Sequence, residues 1–282
     1  MVVRACSIFL AEKVFAEEMN LPPGTQRQRF SSRFSSRLSL RATIERRLLI
    51  NYRMDPALAQ SMLPAPLRVR LVDGSALAGI CLIRLGQIRP DGITGDWLPA
   101  SWGWRAENAA HRIAVERPED PAQQGVYIPL RHSASWLPVL GGGRVFPGAH
   151  HKARFTVAET ASQFNIRMTS AEAQLEVEAR ASMGWPSTLF GNLAEASTLF
   201  AEGKVAWSPG HQQGVVEGVR LGTERWQIEA AEMLSLSSSF FDTLPSSAIS
   251  FDSALLMRNI PSYWSSAGTL LAESLPSTEA SR

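Results

Sequence analysis

The sequence predicts a mainly β protein whose strands form a barrel or a curved sheet that closes on itself, with a few short peripheral helices. Short segments rich in apolar and β-branched residues follow one another along most of the chain, separated by Gly, Pro, Asp and Ser. Gln174–Arg180 alternates cleanly, with apolar side chains at every second position. Only two segments carry helix signals. Many strands with few helices are typical of closed β architectures.

The strands follow one another from about Thr43 onward. Asp73-Gly74 predicts a hairpin turn, and the arm after it, Ser75–Leu85, is apolar on both faces and therefore central in the sheet. The other strands are predicted at Arg46–Arg53, Pro66–Leu71, Glu107–Glu116, Gly125–Leu130, His151–Ala158, Phe164–Thr169, Gln174–Arg180, Val205–Trp207, Gly214–Leu221, Trp226–Leu236 and Ser253–Arg258.

Two helices interrupt the strands. Asp55 and Pro56 supply an N-cap and a first-turn proline for a short helix that ends before Pro64. The second helix is predicted to begin at a Ser187 cap and to end at Gly203, with Leu189, Leu193 and Phe200 along its apolar face.

The two ends of the chain differ in composition from the part between them. Residues 1–43 predict a disordered or weakly helical basic extension, because arginines at 29, 33, 37 and 41 form one row beside an apolar row at 30, 34 and 38. Such a segment could also contact an anionic membrane or act as a targeting presequence. Residues 44–265 form the predicted barrel domain, and 266–282 a flexible Ser-, Glu- and Ala-rich tail.

Composition excludes several functional classes. The 282 residues are 45% hydrophobic, which is ample for a core, and the net charge of only +2 argues against nucleic acid as a partner. Cys6 and Cys81 predict free thiols in a reducing compartment, so we expect a cytoplasmic protein. No stretch reaches the roughly 18 consecutive apolar residues of a membrane-spanning helix.

The most chemically dense segment is 141–155. It holds two of the five histidines, His150 and His151, and one of the three lysines, Lys152, after a glycine run and a Phe-Pro-Gly turn. Strand alternation places His151 on the apolar, inward face and Lys152 outward beside Arg154. An exposed lysine of this kind is a poor nucleophile at neutral pH.

The same alternation places Glu107 and His111 on the inward face of Glu107–Glu116. Three hypotheses fit two inward histidines and an inward carboxylate. They could bind a divalent metal, but no dense ligand motif supports this and neither metal nor cofactor is predicted. They could act as an acid/base pair on a bound carbonyl or carboxylate, with Arg112, Arg131 or Arg144 neutralising the ligand and His150 beside it. They could form a satisfied polar network without catalysis.

Nine sequence blocks follow one another in a fixed order over residues 45–265. They are Arg-Leu-Leu-Ile-Asn-Tyr-Arg-Met-Asp-Pro, Leu-Pro-Ala-Pro-Leu, Val-Asp-Gly, Ala-Gly-Ile-Cys-Leu-Ile-Arg-Leu, Glu-Asn-Ala-Ala-His-Arg, Gly-Val-Tyr-Ile-Pro, Phe-Pro-Gly-Ala-His-His, Ser-Ser-Phe-Phe-Asp and Phe-Asp-Ser-Ala-Leu-Leu-Met-Arg. In this order they resemble the uncharacterised bacterial YqjF-like family. That family is similar in turn to the acetoacetate decarboxylase superfamily, which implies a cone-shaped, mainly β barrel with an internal ligand cavity, often in homo-oligomers.

The decarboxylases use a lysine just after a Phe/Tyr-Pro pair to form a Schiff base with a keto acid. Here Gly148 follows Phe146-Pro147, and Lys152 is the nearest lysine. The resemblance therefore implies a barrel-interior pocket for a small anionic or carbonyl-bearing molecule, near Glu107, His111 and His151, rather than decarboxylation through that lysine. A lyase acting on a keto acid or related carbonyl compound, and a structural protein with a sealed core, are the alternatives.

Overall fold

The computed structural model describes residues 39–90, 104–135 and 148–272. These residues form fourteen strands and three helices, and the mainly β class with few helices is confirmed. The strands are β1 Leu40–Met54, β2 Arg68–Val69, β3 Leu71–Val72, β4 Ser75–Pro90, β5 Trp104–Arg117, β6 Asp120–Ser133, β7 His151–Lys152, β8 Arg154–Glu159, β9 Gln163–Thr169, β10 Gln174–Ser182, β11 Val205–Pro209, β12 Val215–Thr223, β13 Glu229–Ser238 and β14 Ile249–Leu271. The helices are α1 Pro56–Ser61, α2 Leu193–Glu202 and α3 Ser239–Asp242.

Seven of the strands are joined in a ring of hydrogen-bonded pairs. Their order is β1-β4-β5-β6-β11-β12-β14, and β14 pairs back with β1 along most of its length, from Leu40↔Trp264 to Met54↔Ile249. Most neighbours are antiparallel, whereas β6 and β11 run parallel. β13 also pairs with β14, and β10, β9 and β8 extend the sheet from it.

The main core lies where the ring meets β8–β10 and β13. Leu48, Ile80 and Ile113 from the ring strands belong to the same buried cluster as Ile166 and Val177 from the added strands. β9 and β10 alternate strictly between buried and exposed residues, as the sequence predicts for Gln174–Arg180. The outer face of this part of the sheet therefore meets solvent, and its inner face covers the ring.

The segment containing α2 packs against the opposite face of the ring strands. Leu189, Phe190 and Ala196 cluster with Leu77 of β4 and Ala114 of β5. β4 and β5 are therefore buried on both faces, by the main core on one side and by the α2 segment on the other.

The boundaries of the folded region differ from the predicted ones. β1 begins at Leu40, so residues 40–43 belong to a strand rather than to the basic extension; residues 1–38 lie outside the described part. β14 continues to Leu271, past the predicted start of the tail at 266. Polar and small residues after Trp264 do not end this strand, because it remains paired with β12 as far as Val215↔Leu271.

The two predicted helices are present, with one cap corrected. Asp55 caps α1 by accepting a hydrogen bond from the Leu58 backbone N–H, as expected. α2 is capped by Asn192 rather than by Ser187. The Ser187 hydroxyl instead donates to the Asp252 carboxylate, which also accepts from the backbone N–H groups of Thr188 and Leu189. This contact holds residues 187–189 as a loop, so the helix begins later.

Candidate functional site

Three histidines form a row between the ring and the turn that joins β9 to β10. The ring centroids of His111 and His132 lie 6.3 Å apart, and those of His132 and His151 lie 5.8 Å apart. His111 and His132 are fully buried, whereas the side chain of His151 is 37% exposed. The row therefore runs from the surface into the core, with His151 facing His132 as its half-buried outer member. Its strand is interrupted at Ala153, so β7 is only a two-residue edge segment paired with β6.

Polar partners accompany the row at its outer end. Glu172 places one carboxylate oxygen 2.9 Å from His151 Nδ1 and the other 3.7 Å from His132 Nε2. The Ser170 hydroxyl lies 2.9 Å from the same His132 nitrogen. At the inner end, His111 packs against Phe240 and Phe241, and its hydrogen-bond partner among the described residues is the Ser238 hydroxyl, 3.4 Å from Nε2. The environment thus becomes steadily less polar toward His111.

Burial keeps the inner histidines neutral. Desolvation, with a further contribution from neighbouring His132, lowers the pKa of His111 to about 3. Desolvation and the charge of His151 lower the pKa of His132 to about 4, although Glu172 opposes the shift. At neutral pH neither can act as a cationic acid.

Glu107 belongs to a separate, nearly buried group of four charges. Its carboxylate accepts from Arg46 Nη2 at 2.5 Å and from Arg84 Nε at 2.5 Å. Both arginines also bind Glu159, at the end of β8. The group links β1, β4 and β5 of the ring to the added strands, and its two positive and two negative charges balance.

A cavity of about 180 Å³ lies elsewhere, inside the ring. All seven ring strands contribute to its wall, so the cavity occupies the space that they enclose. Its wall is mostly apolar, with Ile83, Leu85, Ile128, Val219 and Trp264 among the lining residues.

The polar side chains of the cavity are mainly basic. The lining includes Arg47, Arg112, Arg131, His150 and Lys204, and no Asp or Glu occurs among the described residues that border it. Burial lowers the pKa of both Arg112 and Arg131 to about 10, which still leaves each guanidinium charged at neutral pH. Burial, together with the charge of Arg131, lowers the pKa of His150 to about 3. The charged side chains among the described lining residues are therefore all basic, and the nearby Glu217 carboxylate, outside that lining, acts on Arg131.

Arg112 is the most deeply buried of these cations, at 4% exposure. Its Nη2 donates to the neutral amide oxygen of Asn51, and its guanidinium lies 5.0 Å from the centre of the Phe200 ring. Its Nε has no hydrogen-bond partner among the described residues. Gly79 makes room for it, since an added Cβ there would lie 3.3 Å from Arg112 Nη2. None of these contacts supplies a counter-charge.

The structure thus separates the residues that the sequence grouped together. Arg112, Arg131 and His150 border the cavity, whereas Glu107, His111 and His151 do not. The alternation along β5 explains the difference, because Ala110 and Arg112 face the cavity while Glu107 and His111 point to the opposite side. Lys152 is also outside the cavity wall; it is half-buried and donates to the Ala134 carbonyl. Arg144 and the Phe146-Pro147 pair lie outside the described residues.

Comparison with known families matches residues 41–251 to the model of a family described as an uncharacterized conserved protein. The chain belongs to this family, DUF2071. The match spans most of the sequence and confirms the recognition made from the sequence blocks. Comparison with curated proteins gives no match to this DUF2071 chain.

Solved structures show which fold the DUF2071 chain adopts. It is similar to an acetoacetate decarboxylase-like enzyme from Sphingomonas wittichii RW1, with a TM-score of 0.52 and 16% identity over 85% of this chain and 94% of that one. It is also similar to an acetoacetate decarboxylase from Legionella pneumophila subsp. pneumophila, with a TM-score of 0.54 and 9% identity over 83% and 87% of the two chains. At these identities the likeness establishes the fold alone.

A third similar structure contains a bound small molecule. The enduracididine biosynthesis enzyme MppR matches with a TM-score of 0.50 and 14% identity over 84% of the DUF2071 chain and 89% of its own. That structure holds the condensation product of pyruvate and imidazole 4-carboxaldehyde.

The described part of the DUF2071 chain offers neither a membrane-spanning helix nor a metal-binding cluster. None of its helices is long and apolar enough to cross a membrane. Within the same residues, no three His, Cys, Asp or Glu side chains are placed to hold a metal ion.

Sequence reasoning missed three residues at these sites. His132 joins the histidine row, and Arg47 and Lys204 line the cavity. In a regular strand, His132 would share one face of β6 with Leu130 and Ile128. The register of β6 shifts opposite His111–Ile113, so the period-two pattern alone could not assign the face of His132. Nothing local marks Lys204, which enters the cavity wall from the loop after α2.

Proposed function

We propose that this DUF2071 chain binds a small anionic molecule with an apolar body, inside a barrel formed by the seven-stranded ring. The observation that carries the proposal is the charge of the cavity wall: Arg47, Arg112, Arg131 and Lys204 border it, and no described lining residue is acidic. Arg112 is the buried one, and among the described residues it has only the neutral Asn51 amide as a hydrogen-bond partner, which is costly to the fold. An anionic ligand would supply a counter-charge.

The size and the apolar lining limit what the anion can be. Apolar cavities of roughly 150 Å³ hold a molecule the size of benzene. With about 180 Å³ available, the ligand is expected to carry a compact apolar group beside its anionic one. A carboxylate is favoured, since an arginine guanidinium presents paired donors that match its two oxygens.

Benzoate and benzamide, which have similar shapes and differ in charge, test this proposal. Benzoate should raise the melting temperature of the protein by several degrees at about 100 times its dissociation constant, because such saturation stabilises the folded state by about 2.7 kcal/mol. Benzamide should have little effect. Differential scanning fluorimetry at constant ionic strength measures both.

Arg112→Met should abolish the benzoate shift, because it removes the most buried cation of the cavity. Arg105→Met is the matched control: Arg105 lies on the same strand, is 65% exposed, and is absent from the cavity wall. If Arg112→Met fails to fold, Arg47→Met replaces it as the test. Equal increases in melting temperature with benzoate and benzamide would contradict anion binding, and so would a full benzoate effect in the Arg112 variant. If no small molecule changes the melting temperature, a sealed structural core is favoured.

A carbon–carbon or carbon–oxygen lyase acting on a keto acid or related carbonyl compound is the second candidate. Lys204 favours it, since it is the one lysine among the described residues of the cavity wall, whereas Lys152 is outside that wall. The primary amine of Lys204 could form an imine with a bound carbonyl group.

Borohydride reduction in the presence of pyruvate tests the lyase. We expect any irreversible adduct to be on Lys204, to disappear in Lys204→Arg and to persist in Lys152→Arg, as measured by intact and peptide mass spectrometry. An adduct on Lys152, or none on any lysine, would exclude imine chemistry at the cavity and leave binding as the function.

A further inference from the structure

The cavity wall also contains a thiol. Cys81 lies at the centre of β4, where it pairs with Leu49 on one side and Ala110 on the other. It is buried at 8% exposure and borders the cavity. Its sulfur therefore faces the same enclosed space as the cavity arginines.

The surroundings of this thiol are cationic. Arg47 donates from Nε to the Cys81 sulfur over 3.4 Å. Arg112 and Arg131 border the same cavity, and both lie close enough to the sulfur for its charge to act on their pKa values. An anion held by these arginines would therefore lie near the sulfur.

A second feature of the cavity indicates a ligand next to the thiol. Arg112 is 4% exposed and borders the same space, yet within the described part of the chain its Nε has no hydrogen-bond partner and its Nη2 donates to the neutral Asn51 amide. Buried polar atoms are rarely left without partners in folded proteins. An anionic group within reach of Arg112 would satisfy this donor.

We propose that Cys81 is a ligand-reactive nucleophile: the cavity binds small carboxylates that carry an electrophilic carbon, and the Cys81 sulfur bonds to that carbon. The proposal rests on the anion-binding function and names the ligand class of the same site. The arginines hold the carboxylate, and the carbon beside it lies next to the sulfur.

Iodoacetate is the simplest probe of this class. Its reaction forms the bond between the sulfur and the CH2 carbon, breaks the carbon–iodine bond with the electron pair leaving on iodide, and releases the thiol proton to water. Iodoacetamide undergoes the same substitution without the negative charge. The ratio of the two rates therefore reports whether the site guides an anion to the sulfur.

The experiment uses the full-length chain with Cys6→Ser, which leaves Cys81 as its single cysteine. We expect the iodoacetate-to-iodoacetamide rate ratio of the folded protein to exceed that of the same variant unfolded in urea by at least tenfold, as followed by intact mass. Benzoate should slow the iodoacetate reaction, and Arg47→Met should lower the ratio. In the control variant Cys81→Ser, which keeps Cys6, the iodoacetate-to-iodoacetamide rate ratio should be the same for the folded and the unfolded chain.

The possible outcomes separate this proposal from the binding function. If benzoate stabilises the protein but the folded ratio is no higher than the unfolded one, Cys81 is not a reactive site although the cavity binds anions. Complete lack of reaction at Cys81 in the folded chain overturns the proposal in the same way. A high ratio that is insensitive to benzoate would show that the sulfur is alkylated by another route, and would equally overturn it.

Discussion

Replacing Glu107 with Gln should lower the free energy of unfolding by about 3–5 kcal/mol, the usual cost of removing one partner from a buried ion pair. Glu107 neutralises Arg46, whose side chain is 4% exposed, and also binds Arg84. After the substitution, Glu159 alone would face two guanidinium groups. The remaining positive charge would be buried without compensation, which is why the loss exceeds that of a surface pair.

Urea denaturation of Glu107→Gln measures this loss. The control is Glu176→Gln, because Glu176 pairs with Arg167 at 2.8 Å on exposed strands, where both side chains are about 60% exposed, and such pairs contribute less than about 1 kcal/mol. A loss as small as that of the control would show that the four-charge group does not stabilise the fold.

The same variant separates a structural role of Glu107 from a role in binding. Because Glu107 is not part of the cavity wall, the benzoate shift should persist in the folded Glu107→Gln protein. If the variant is fully folded and benzoate no longer raises its melting temperature, Glu107 belongs to the binding site, as the sequence indicated.

Sequence patterns predicted the strands best where one face of the sheet meets water. Leu175, Val177 and Ala179 in β10 are buried, while Glu176 and Glu178 between them are exposed. Alternation of this kind is a direct consequence of the two-residue repeat of a strand. The pattern therefore determined both the element and the orientation of its side chains.

The same pattern could not locate the cavity, because a ring strand such as β5 is buried on both faces. In β5, His111 faces the main core and Arg112 faces the ring interior, and both are buried. Alternation separates the two faces without saying which of them borders an open space. The choice depends on ring closure through β1 and β14, a pairing between distant parts of the sequence.

The histidine row depends on contacts of the same long range. His132 lies opposite Ala109 in β5 and beside His151 in β7. Those three positions come from separate strands, and their register is determined by pairing rather than by local sequence. Of the row, the sequence singled out His111 and His151 as candidates but not His132.

Acid should destabilise the protein steeply between about pH 6.5 and pH 5, before its carboxylates are protonated. His111, His132 and His150 have folded pKa values of about 3 to 4, below the ordinary value of 6.5 that they regain on unfolding. Below pH 6.5 the unfolded chain therefore binds more protons than the folded one, so stability is present above that pH and is lost as the pH falls. Each such histidine contributes a slope of up to about 1.4 kcal/mol per pH unit.

His132→Gln should reduce that slope by about 1.4 kcal/mol per pH unit, since it removes one of the three groups. Urea titrations at several pH values between 6.2 and 5.0 measure the slope, and His211→Gln, at an exposed position, should leave it unchanged. An unchanged slope in His132→Gln would mean that His132 takes up a proton in the folded state. Glu172, 3.7 Å from its Nε2, is the group that would then stabilise the cation. The measurement thus decides whether His132 is a neutral core side chain or takes up a proton in the folded protein.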